Sequence, residues 1–560
     1  MSASKSEVLT KSNNFYSNIE VAALTTPYKK AVIACTGRDK SGYYGYKQLT
    51  FSQLEAACCD YAYGLAKEGV KRGTRVLMMA RPSLDFISLT FALFKIGAIP
   101  VFVDPGMGLD RMLICAKEAE PEFLIGEKQA IRLKNLKRNA FKSIKKSFCV
   151  ERKKILGSTP LQTLRISPLQ QTLTLDVSES DSLAIFFTSG STGIPKGVEW
   201  SHGNMQRQGE LLTQYMKLEP DDIDVATFPL FMFITTAANR TCIIPDMDFS
   251  APAQVEPQNI VQLIEDFGAN YCFGSPALLN KVSLYCVEKG ITLPTMKHVI
   301  SGGAPVPFSV IERVQSLLPN GLVVTPYGAT EALPISFIDS TELQEETGDL
   351  SAQGWGTCVG YPVPDVDVKI IRSIEQPIAE WSESLALADG EIGEITVKGP
   401  IVTEKYFRRP QEVLKHKISE YNSETGSTEI RHRMGDVGYF DQKGRLWFCG
   451  RKNHICFDAT TPYYSVKVEG IVNAVNSVWR SALVELSTQR GPELAIVIEF
   501  HPGECPDNWN EKKSTFFTLL EKFDIPVKHL YHYPKSFPVD KRHNSKIERS
   551  VLAKWAQTQL

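Results

Sequence analysis

The hydrophobic pattern of the first hundred residues alternates between short apolar runs and a longer apolar segment. Residues 75–80 and 99–103 are apolar runs of strand length, and residues 84–95 between them are long enough for a buried helix. Upstream, Ser52 is expected to be the N-cap of a helix that continues through Leu65. Strands that alternate with helices in this way predict parallel βαβ units.

The same alternation returns in the middle of the chain. It predicts strands at residues 270–274, 298–301 and 322–325 and helices at residues 276–288 and 306–318. Each of these strands runs into a turn of glycine and other small residues, and such turns bind ligands at the carboxyl ends of parallel strands. The turns are Gly274-Ser275, Gly302-Gly303-Ala304 and Gly328-Ala329. We therefore expect several loops around one crevice.

Beyond residue 451 the pattern changes to that of a small mixed unit. Helices are predicted up to about residue 475 and at residues 514–523 and 545–559, with strands at residues 481–486, 493–500 and 527–533. The expected fold class is therefore α/β: a large N-terminal domain of several sheets in βαβ layers, residues 1–451, and a small α+β C-terminal lid, residues 454–560. The hinge is expected near Asn453.

Charge, cysteine usage and hydropathy narrow the class of protein. With 62 Lys+Arg and 63 Asp+Glu the net charge is −1, which argues against nucleic-acid binding through one basic face. Twelve cysteines without a CxxC pair indicate reduced thiols. The first residues contain no apolar signal segment, and the longest apolar stretch, residues 86–103, is interrupted and too short to span a membrane. We expect a cytoplasmic protein.

One segment of the chain has a large excess of positive charge. Residues 128–154 contain eleven Lys/Arg and one acid, Glu151. Apolar residues recur there at helical spacing: Leu133, Leu136, Ala140, Ile144 and Phe148. The pattern predicts a cationic amphipathic helix. This helix either covers the large domain with a solvated outer face or contacts an anionic membrane or an acidic partner enzyme.

The most informative segment is residues 188–197, Thr-Ser-Gly-Ser-Thr-Gly-Ile-Pro-Lys-Gly, directly after the apolar run 183–187. Its hydroxyls, glycine N–H groups and Lys196 suit a polyphosphate. It is not a P-loop of the G-x-x-x-x-G-K-[ST] type, because Lys196 stands between Pro195 and Gly197.

Further motifs follow in a characteristic order. They are Gly302-Gly303-Ala304-Pro305, Tyr327-Gly328-Ala329-Thr330-Glu331, Gly435-Asp436, Gly450-Arg451 and residues 544–549, Asn-Ser-Lys-Ile-Glu-Arg. With the segment 188–197 they resemble the adenylate-forming superfamily of acyl-CoA synthetases, peptide-synthetase adenylation domains and luciferases. The resemblance covers nearly the whole chain. It implies ATP and Mg²⁺ as cofactors and adenylation of a carboxylic acid as the first reaction.

The resemblance also implies a role for each motif. The β- and γ-phosphates of ATP are expected to bind Lys196 and the loop residues Thr188, Ser189, Gly190, Ser191, Thr192 and Gly193. Residues 302–305 and 327–330 are expected around the adenine, Glu331 on Mg²⁺, and Asp436 on the ribose, with Arg451 before the hinge. Lys546 is expected to bridge the substrate carboxylate and the α-phosphate.

These roles agree with the chemistry of adenylation. A carboxylate must attack the α-phosphorus of ATP, so two anions meet, and catalysis has to come from charge neutralisation and positioning. Lys196, Glu331 and Lys546 are therefore the expected catalytic residues. Ser545-x-x-Glu548 is a capping-box pattern, which predicts Lys546 on the first turn of the last helix.

Two departures from the superfamily pattern bear on the product. Asn453 stands at the hinge position, and the loop after Arg451 has no glycine before Gly470; Asn544-Ser545 replaces Ser-Gly before the lysine. A loop with Pro462 and several β-branched and aromatic residues is stiffer than a glycine loop, which argues against a pantetheine tunnel. Five stretches, residues 103–108, 326–334, 432–438, 447–452 and 537–544, resemble the β-lactone synthetases of bacterial long-chain olefin biosynthesis.

The resemblance to that branch implies adenylation of a long-chain 3-hydroxy fatty acid whose own hydroxyl then displaces AMP. Tethering gives this attack a large effective molarity. The alternative is a fatty-acid–CoA ligase, in which CoA takes the adenylate, and a third interpretation is a non-catalytic membrane or scaffold protein. Candidate bases, by residue type alone, are His202, His454 and His543. Phe228, Phe231, Phe233 and Phe273 fit an acyl pocket and plain core equally well.

Overall fold

The computed structural model describes residues 12–152, 155–168, 174–188, 194–501, 503–504, 509–539 and 546–560. Within them the α-helices of at least five residues are Ser17–Thr25, Phe51–Lys67, Leu84–Lys95, Leu109–Ala119, Lys128–Leu136, His202–Tyr215, Pro229–Ala237, Pro257–Phe267, Pro276–Lys289, Phe308–Ser316, Gly348–Ala352, Pro410–His416, Ser465–Asn473, Trp509–Glu521 and Arg549–Gln557, and Leu343–Thr347 is a π-helix.

The strands are numbered β1 to β27 in chain order. β1 to β9 are Lys30–Arg38, Tyr44–Thr50, Arg75–Met79, Ile99–Val103, Phe123–Gly126, Lys146–Cys149, Thr159–Pro160, Ser182–Thr188 and Lys196–Ser201. β10 to β18 are Ile223–Ala226, Thr241–Ile244, Tyr271–Gly274, His298–Ser301, Leu322–Ala329, Ala332–Asp339, Thr357–Pro362, Asp367–Ile371 and Gly393–Lys398. β19 to β27 are Lys405–Tyr406, Lys417–Asn422, Ser427–Phe440, Leu446–Arg451, Cys456–Asp458, Thr461–Tyr463, Val478–Thr488, Gly491–Phe500 and His529–His532.

Two large sheets carry the crevice. The first has the order β17-β18-β21-β22-β16-β15-β14-β13-β12-β10-β11-β1-β2, with β20 paired to β21. The second has the order β19-β9-β8-β4-β3-β5-β6-β7. Strands β10 to β14 of the first sheet and β3 to β8 of the second are largely parallel, as the alternation of strands and helices predicts. The α/β class is confirmed.

Local sequence explains the well-predicted elements. The helix Leu84–Lys95 begins at the Ser83 N-cap, whose hydroxyl accepts from the Phe86 N–H, and it ends before Gly97, which has a φ of 65°. The predicted N-cap Ser52 is wrong. Thr50 caps the helix Phe51–Lys67 through a capping box with Gln53, because Thr50 leaves β2 in extended conformation one residue before the helix starts.

The basic segment is not one helix. Helical structure ends at Leu136, a short 3-10 turn follows at Arg138–Phe141, and Lys146–Cys149 is strand β6, paired in parallel with β5. Phe148, predicted on the apolar helix face, is fully buried in that sheet. The strand prevails because its backbone completes the ladder beside β5 while its aromatic side chain enters the core.

The C-terminal residues have their own core. β25, β26 and β27 form a three-stranded sheet, and the buried side chains of residues 456–556 make two hydrophobic clusters that contain no core residue from the rest of the chain. The predicted start of the last helix is wrong. The helix begins at Arg549, and Glu548 at its N-cap makes no side-chain capping bond, so Lys546 lies before the helix.

The structure also bears on thiols, metals and membranes. Eleven cysteines in the described ranges are free, ten of them buried. These ranges contain no group of three or more His, Cys, Asp or Glu that could hold a metal. No helix of the described chain has both the length and the hydropathy to cross a bilayer.

Acid will destabilise the fold partly through His202. This side chain is 1% exposed, and its Nδ1 accepts from the Phe15 N–H at 3.0 Å. Burial lowers its pKa to about 4. The unfolded chain therefore binds the proton first, and stability is lost as pH falls from the ordinary histidine value toward that pKa. We expect this group to lower the free energy of unfolding by about 2 kcal/mol near pH 5 relative to neutral pH.

The test is urea denaturation at both pH values for the wild type and His202→Asn. The variant should lose less stability on acidification than the wild type does. An equal loss in both proteins would contradict the assignment.

Candidate active site

The predicted phosphate loop starts and ends on paired strands. β8 ends at Thr188, β9 begins at Lys196, and the two residues are direct partners in the antiparallel ladder. The other predicted phosphate ligands, Ser189, Gly190, Ser191, Thr192 and Gly193, lie outside the described residues. The ladder fixes Lys196 opposite Thr188, at the carboxyl end of β8.

The Lys196 ammonium is held by three groups. Its Nζ lies 2.5 Å from Glu412 Oε2 and 3.0 Å from His416 Nε2, and 5.2 Å from the centre of the Tyr406 ring. Burial alone would raise the pKa of Glu412, but the hydrogen bond and charge of Lys196 outweigh it and lower the pKa. Burial, aided by Lys196, lowers the pKa of His416 to about 4. At neutral pH Lys196 therefore contacts one anion and one neutral imidazole.

The second predicted nucleotide turn lies beside the strand that carries Tyr327. Residues 302–305, Gly302, Gly303, Ala304 and Pro305, follow β13, which is parallel to β14. A Cβ at Gly302 would lie 3.4 Å from Pro326 and 3.7 Å from the Phe273 ring. Gly303 has a φ of 87°, which favours glycine. The turn thus packs closely between two strand ends.

Strands β14 and β15 are joined by the tight turn Thr330-Glu331. β14 ends with Tyr327, Gly328 and Ala329. A Cβ at Gly328 would lie 2.7 Å from the Ala332 carbonyl oxygen, so the close turn requires glycine there. Trp200 of β9 donates its indole N–H to the Thr330 carbonyl at 2.9 Å. This bond ties the turn to the sheet that carries Lys196.

Glu331 is held through both its carboxylate and its backbone. The Tyr406 hydroxyl donates to Glu331 Oε1 at 2.8 Å, and the Thr403 N–H donates to the Glu331 carbonyl at 2.8 Å. Lys417 donates to the Thr403 carbonyl, and its Nζ lies 5.6 Å from the Tyr406 ring centre. Burial lowers the pKa of Lys417 to about 7, although the charges of Glu331 and Glu404 oppose the shift.

Sequence reasoning missed Tyr406, Glu412, His416 and Lys417. Local sequence gave no signal for Lys417, because its strand Lys417–Asn422 does not alternate in polarity and Lys417 has the same strand parity as the exposed Ser419 and Tyr421. Its contacts depend on the pairing of β20 with β21 and of β19 with β9. Pairings between such separated segments are not visible in local sequence.

Asp436 links the predicted adenine and hinge motifs. The Tyr327 hydroxyl donates to Asp436 Oδ2 at 2.7 Å, and Arg451 Nη1 lies 2.9 Å from Asp436 Oδ1 across the β21–β22 ladder. Asp436 is 4% exposed. Burial raises its pKa, whereas the charges of Arg451 and Lys546 and the Tyr327 hydrogen bond oppose the rise. The carboxylate thus sits among cationic and donor groups.

Lys546 reaches this cluster from the C-terminal unit. Its positive charge opposes the rise in the pKa of Asp436 that burial causes. A β-bridge at Ile547 and the ion pair between Arg549 and the buried Glu469, 2.6 Å long, fix the chain directly after Lys546. The bridge and the ion pair position Lys546, in place of the predicted first helical turn.

The predicted hinge follows a tethered lysine. Lys452 donates to the Ile374 carbonyl at 2.5 Å, and its Nζ lies 3.2 Å from Glu375 and 3.4 Å from Glu394. Asn453 is exposed within the short turn Lys452–His454. The Lys452 side chain therefore anchors this point of the chain to β18 and to residues 374–375.

The segment without glycine after the hinge is an ordered hairpin. β23 and β24 pair from Cys456 to Tyr463, with Pro462 in the second strand. Ala459 at its tip has a φ of 52°, a left-handed conformation that is uncommon outside glycine. Two paired strands give this loop a fixed shape.

Only three of the four predicted pocket phenylalanines cluster at the crevice. The ring centres of Phe231 and Phe273 are 4.4 Å apart, and those of Phe228 and Phe273 are 5.7 Å apart. The Phe273 ring lies beside Gly302. Phe233 belongs to the aromatic core, where its ring neighbours are Phe86, Phe91, Phe94 and Phe102. Phe233 therefore fits the core interpretation, and the acyl pocket stays a prediction for Phe228, Phe231 and Phe273.

The three histidines proposed as candidate bases lie in different places. His202 accepts from the Phe15 N–H within the core, and His543 lies outside the described residues. Burial, together with the charges of Arg549 and Arg451, lowers the pKa of His454 to about 4. His454 is thus a neutral imidazole next to the Arg451 end of the cluster.

Comparison with known proteins identifies the family. Residues 19–407 match the family described as AMP-binding enzyme. The chain is 40% identical over 536 residues to the olefin beta-lactone synthetase of Stenotrophomonas maltophilia (strain K279a), covering 94% of this chain and 95% of that protein. It is 38% identical to the olefin beta-lactone synthetase of Xanthomonas campestris pv. campestris, covering 98% of each chain.

Solved structures share the fold at lower identity. Amide bond synthetase McbA from Marinactinospora thermotolerans superposes with a TM-score of 0.78 at 19% identity, covering 97% of this chain and 99% of that one. ATP-bound MatB from Rhodopseudomonas palustris gives a TM-score of 0.77 at 20% identity, covering 98% and 99%. At these identities the likeness concerns the fold alone.

Proposed function

Because the chain belongs to the family of AMP-binding enzymes, we propose that it uses ATP to adenylate a long-chain 3-hydroxy fatty acid and then closes the acyl adenylate to a β-lactone. One observation carries the proposal. Tyr406 contacts both Glu331 and Lys196, and Tyr327, four residues before Glu331, donates to Asp436, so Glu331, Lys196 and Asp436 belong to one connected site. The extent of identity to olefin beta-lactone synthetases supports the choice of product.

In the first step, a carboxylate oxygen of the acid attacks the α-phosphorus, and pyrophosphate leaves. Lys196, at the phosphate loop, neutralises the departing pyrophosphate, and Lys546 neutralises the two anions that approach each other. Asp436, fixed by Tyr327 and Arg451, accepts from the ribose hydroxyls. The nucleotide is thereby positioned at three separate points.

Glu331 is suited to Mg²⁺. It provides a carboxylate oriented by the Tyr406 hydroxyl, and Mg²⁺ prefers such oxygen together with phosphate and water ligands. Because the described ranges hold no cluster of three or more His, Cys, Asp or Glu, a site of one carboxylate plus substrate oxygens fits best. When bound, the ion would neutralise phosphate charge.

In the second step, the substrate's 3-hydroxyl oxygen attacks its own acyl carbon. The bond between that carbon and the AMP oxygen breaks, AMP leaves, and the hydroxyl proton passes to a base or to water. No second substrate is needed, and tethering supplies the effective concentration. The small C-terminal unit, residues 454–560, acts as the lid that carries Lys546, with its hinge near Asn453.

Transfer of the adenylate to CoA is the alternative reaction. The hairpin Cys456–Tyr463, with Pro462 in its second strand, stands where a flexible glycine loop would line a thiol tunnel. We therefore expect purified protein with ATP, Mg²⁺ and a 3-hydroxylated long-chain acid to release a lactone and AMP, with added CoA left unacylated. Acyl-CoA from a plain acid would instead establish the ligase.

The basic segment also fits contact with an anionic membrane. Leu136 is 80% exposed and Leu156 is 87% exposed, and they are neighbours because Asn135 Nδ2 donates to the Leu156 carbonyl at 2.8 Å. The exposed basic residues around them are Arg132, Lys137, Arg138, Lys142 and Arg152. Two protruding leucines within a cationic rim suit the interface of anionic lipids.

Vesicle flotation tests this contact. The wild type should bind phosphatidylglycerol-containing vesicles, bind pure phosphatidylcholine weakly, and release in high salt. The double variant Leu136→Ser/Leu156→Ser should bind the anionic vesicles about tenfold more weakly, because apolar contact is lost. Leu24→Ser, at another exposed leucine, is the control. Equal binding by the double variant and the wild type would overturn the proposal.

A further inference from the structure

Lys417 is a buried lysine that none of the nucleotide motifs includes. Its residue is 5% exposed, and it lies at the start of β20, opposite His432 of β21. Within the described ranges no carboxylate oxygen lies within ion-pair distance of its Nζ. A buried ammonium normally pairs with an acid, because desolvation is costly. Lys417 is compensated by a carbonyl and an aromatic face instead.

The two groups that Lys417 contacts are the two groups that hold Glu331. Its Nζ donates to the Thr403 carbonyl and lies 3.4 Å from Thr403 Oγ1, and Thr403 N–H bonds the Glu331 backbone. The same Nζ faces the Tyr406 ring, whose hydroxyl bonds the Glu331 carboxylate. One lysine side chain therefore touches both supports of one carboxylate.

The Tyr406 ring is also shared with the phosphate loop. The Lys196 and Lys417 ammonium groups lie 5.2 Å and 5.6 Å from its centre, within the range of cation–π attraction. The Tyr406 ring is therefore held by both lysine side chains, and its position determines where its hydroxyl meets the Glu331 carboxylate.

We propose that Lys417 is a positioning residue that holds Thr403 and Tyr406 so that Glu331 presents its carboxylate to the metal–nucleotide complex. The inference rests on the proposed function, in which Glu331 binds Mg²⁺. Groups that orient a metal ligand typically change metal affinity by about 10–100-fold when they are removed. Lys417 acts through its neighbours and touches no substrate.

The test separates metal binding from folding and from turnover. Binding of Mn²⁺ in the presence of a non-hydrolysable ATP analogue is followed by electron paramagnetic resonance, and the Mg²⁺ concentration for half-maximal pyrophosphate release is measured. Lys417→Met should weaken metal binding and raise the half-saturating Mg²⁺ concentration by about 10–100-fold. Its affinity for the analogue without metal should stay within about twofold of the wild type.

Tyr406→Phe is a second variant that keeps the ring and removes the hydroxyl contact with Glu331. It should shift metal binding in the same direction, and the double variant should be less impaired than the sum of both effects, because both act through one carboxylate. Lys398→Met, at a lysine paired with Glu420 and Glu429 elsewhere in the sheet, is the matched control and should bind metal normally.

Two results would overturn the inference. The first is a wild-type metal affinity in folded Lys417→Met and Tyr406→Phe proteins. The second is a double variant whose loss of metal affinity equals the sum of the two single losses. Metal binding by Glu331→Gln shows whether only the role of Lys417 has failed or the proposed function as well. If Glu331→Gln also binds the metal normally, the assignment of Glu331 as the Mg²⁺ ligand itself is wrong.

Discussion

Replacing Lys546 with methionine will lower the rate of ATP-dependent pyrophosphate release by about 10²–10³-fold, because a positioned cation at the point where two anions react is worth several kcal/mol. Methionine has nearly the same length and removes only the charge. Lys546 is an exposed residue whose charge acts on Asp436, so the ammonium lies on the side of the C-terminal segment that faces the nucleotide motifs. Pyrophosphate release should be followed with a 3-hydroxylated long-chain acid under saturating ATP.

Lys554→Met is the matched control for that change. Lys554 is an exposed residue of the final helix Arg549–Gln557 and should be replaced with little effect on the rate. Circular dichroism must show both variants folded. A Lys546→Met protein that works within about threefold of the wild-type rate would contradict the role assigned to this lysine.

Replacing Asp436 with alanine will lower the free energy of unfolding by about 1–3 kcal/mol, because the Tyr327 hydroxyl loses its acceptor and the partly exposed Arg451 guanidinium loses its ion-pair partner. Arg451 and the Tyr327 hydroxyl both bond this carboxylate, and neither gains a new partner from an alanine. The same change removes the expected acceptor for the ribose hydroxyls, so ATP affinity should fall as well. Urea denaturation and titration calorimetry measure the two effects.

Two further variants provide reference values for the stability lost in Asp436→Ala. Asp436→Asn keeps an acceptor for Tyr327 and should be less destabilising than the alanine variant. Asp221→Ala removes a carboxylate whose side chain is 99% exposed and pairs with Lys29, and it should cost at most about 1 kcal/mol. If Asp436→Ala were as mild as Asp221→Ala, the buried network would not have the role described here.

Elements whose limits are fixed by local chemistry were predictable from sequence. The helix Leu84–Lys95 has a serine cap before it and a glycine after it, and the strand His298–Ser301 is a short apolar run before a glycine turn. The basic segment and the last helix were not predictable in this way. β6 forms because β5 offers a strand edge, and the chain after Lys546 is fixed by a β-bridge at Ile547 and by the ion pair between Arg549 and Glu469.

The residues of the candidate site also differ in whether local sequence could predict them. Contiguous motifs, such as the segment 327–331, could be assigned by resemblance, because their residues are neighbours in sequence as well as in space. The supports of Glu331 could not be found in this manner. Thr403, Tyr406 and Lys417 converge only after β19 has joined β9 and β20 has joined β21. For Phe233 the sequence left pocket and core open, because an aromatic run does not reveal which rings face core neighbours such as Phe91.

The central claim is that one molecule of acid is adenylated and then closes on itself. The most direct test supplies a 3-hydroxy long-chain acid with ¹⁸O in both carboxylate oxygens, unlabelled ATP and excess CoA, and analyses the products by mass spectrometry. The account predicts AMP with one ¹⁸O, a β-lactone with one ¹⁸O in its carbonyl and an unlabelled ring oxygen, and unmodified CoA. Unlabelled AMP alongside lactone would contradict the adenylate route, and labelled AMP alongside acyl-CoA would contradict intramolecular closure.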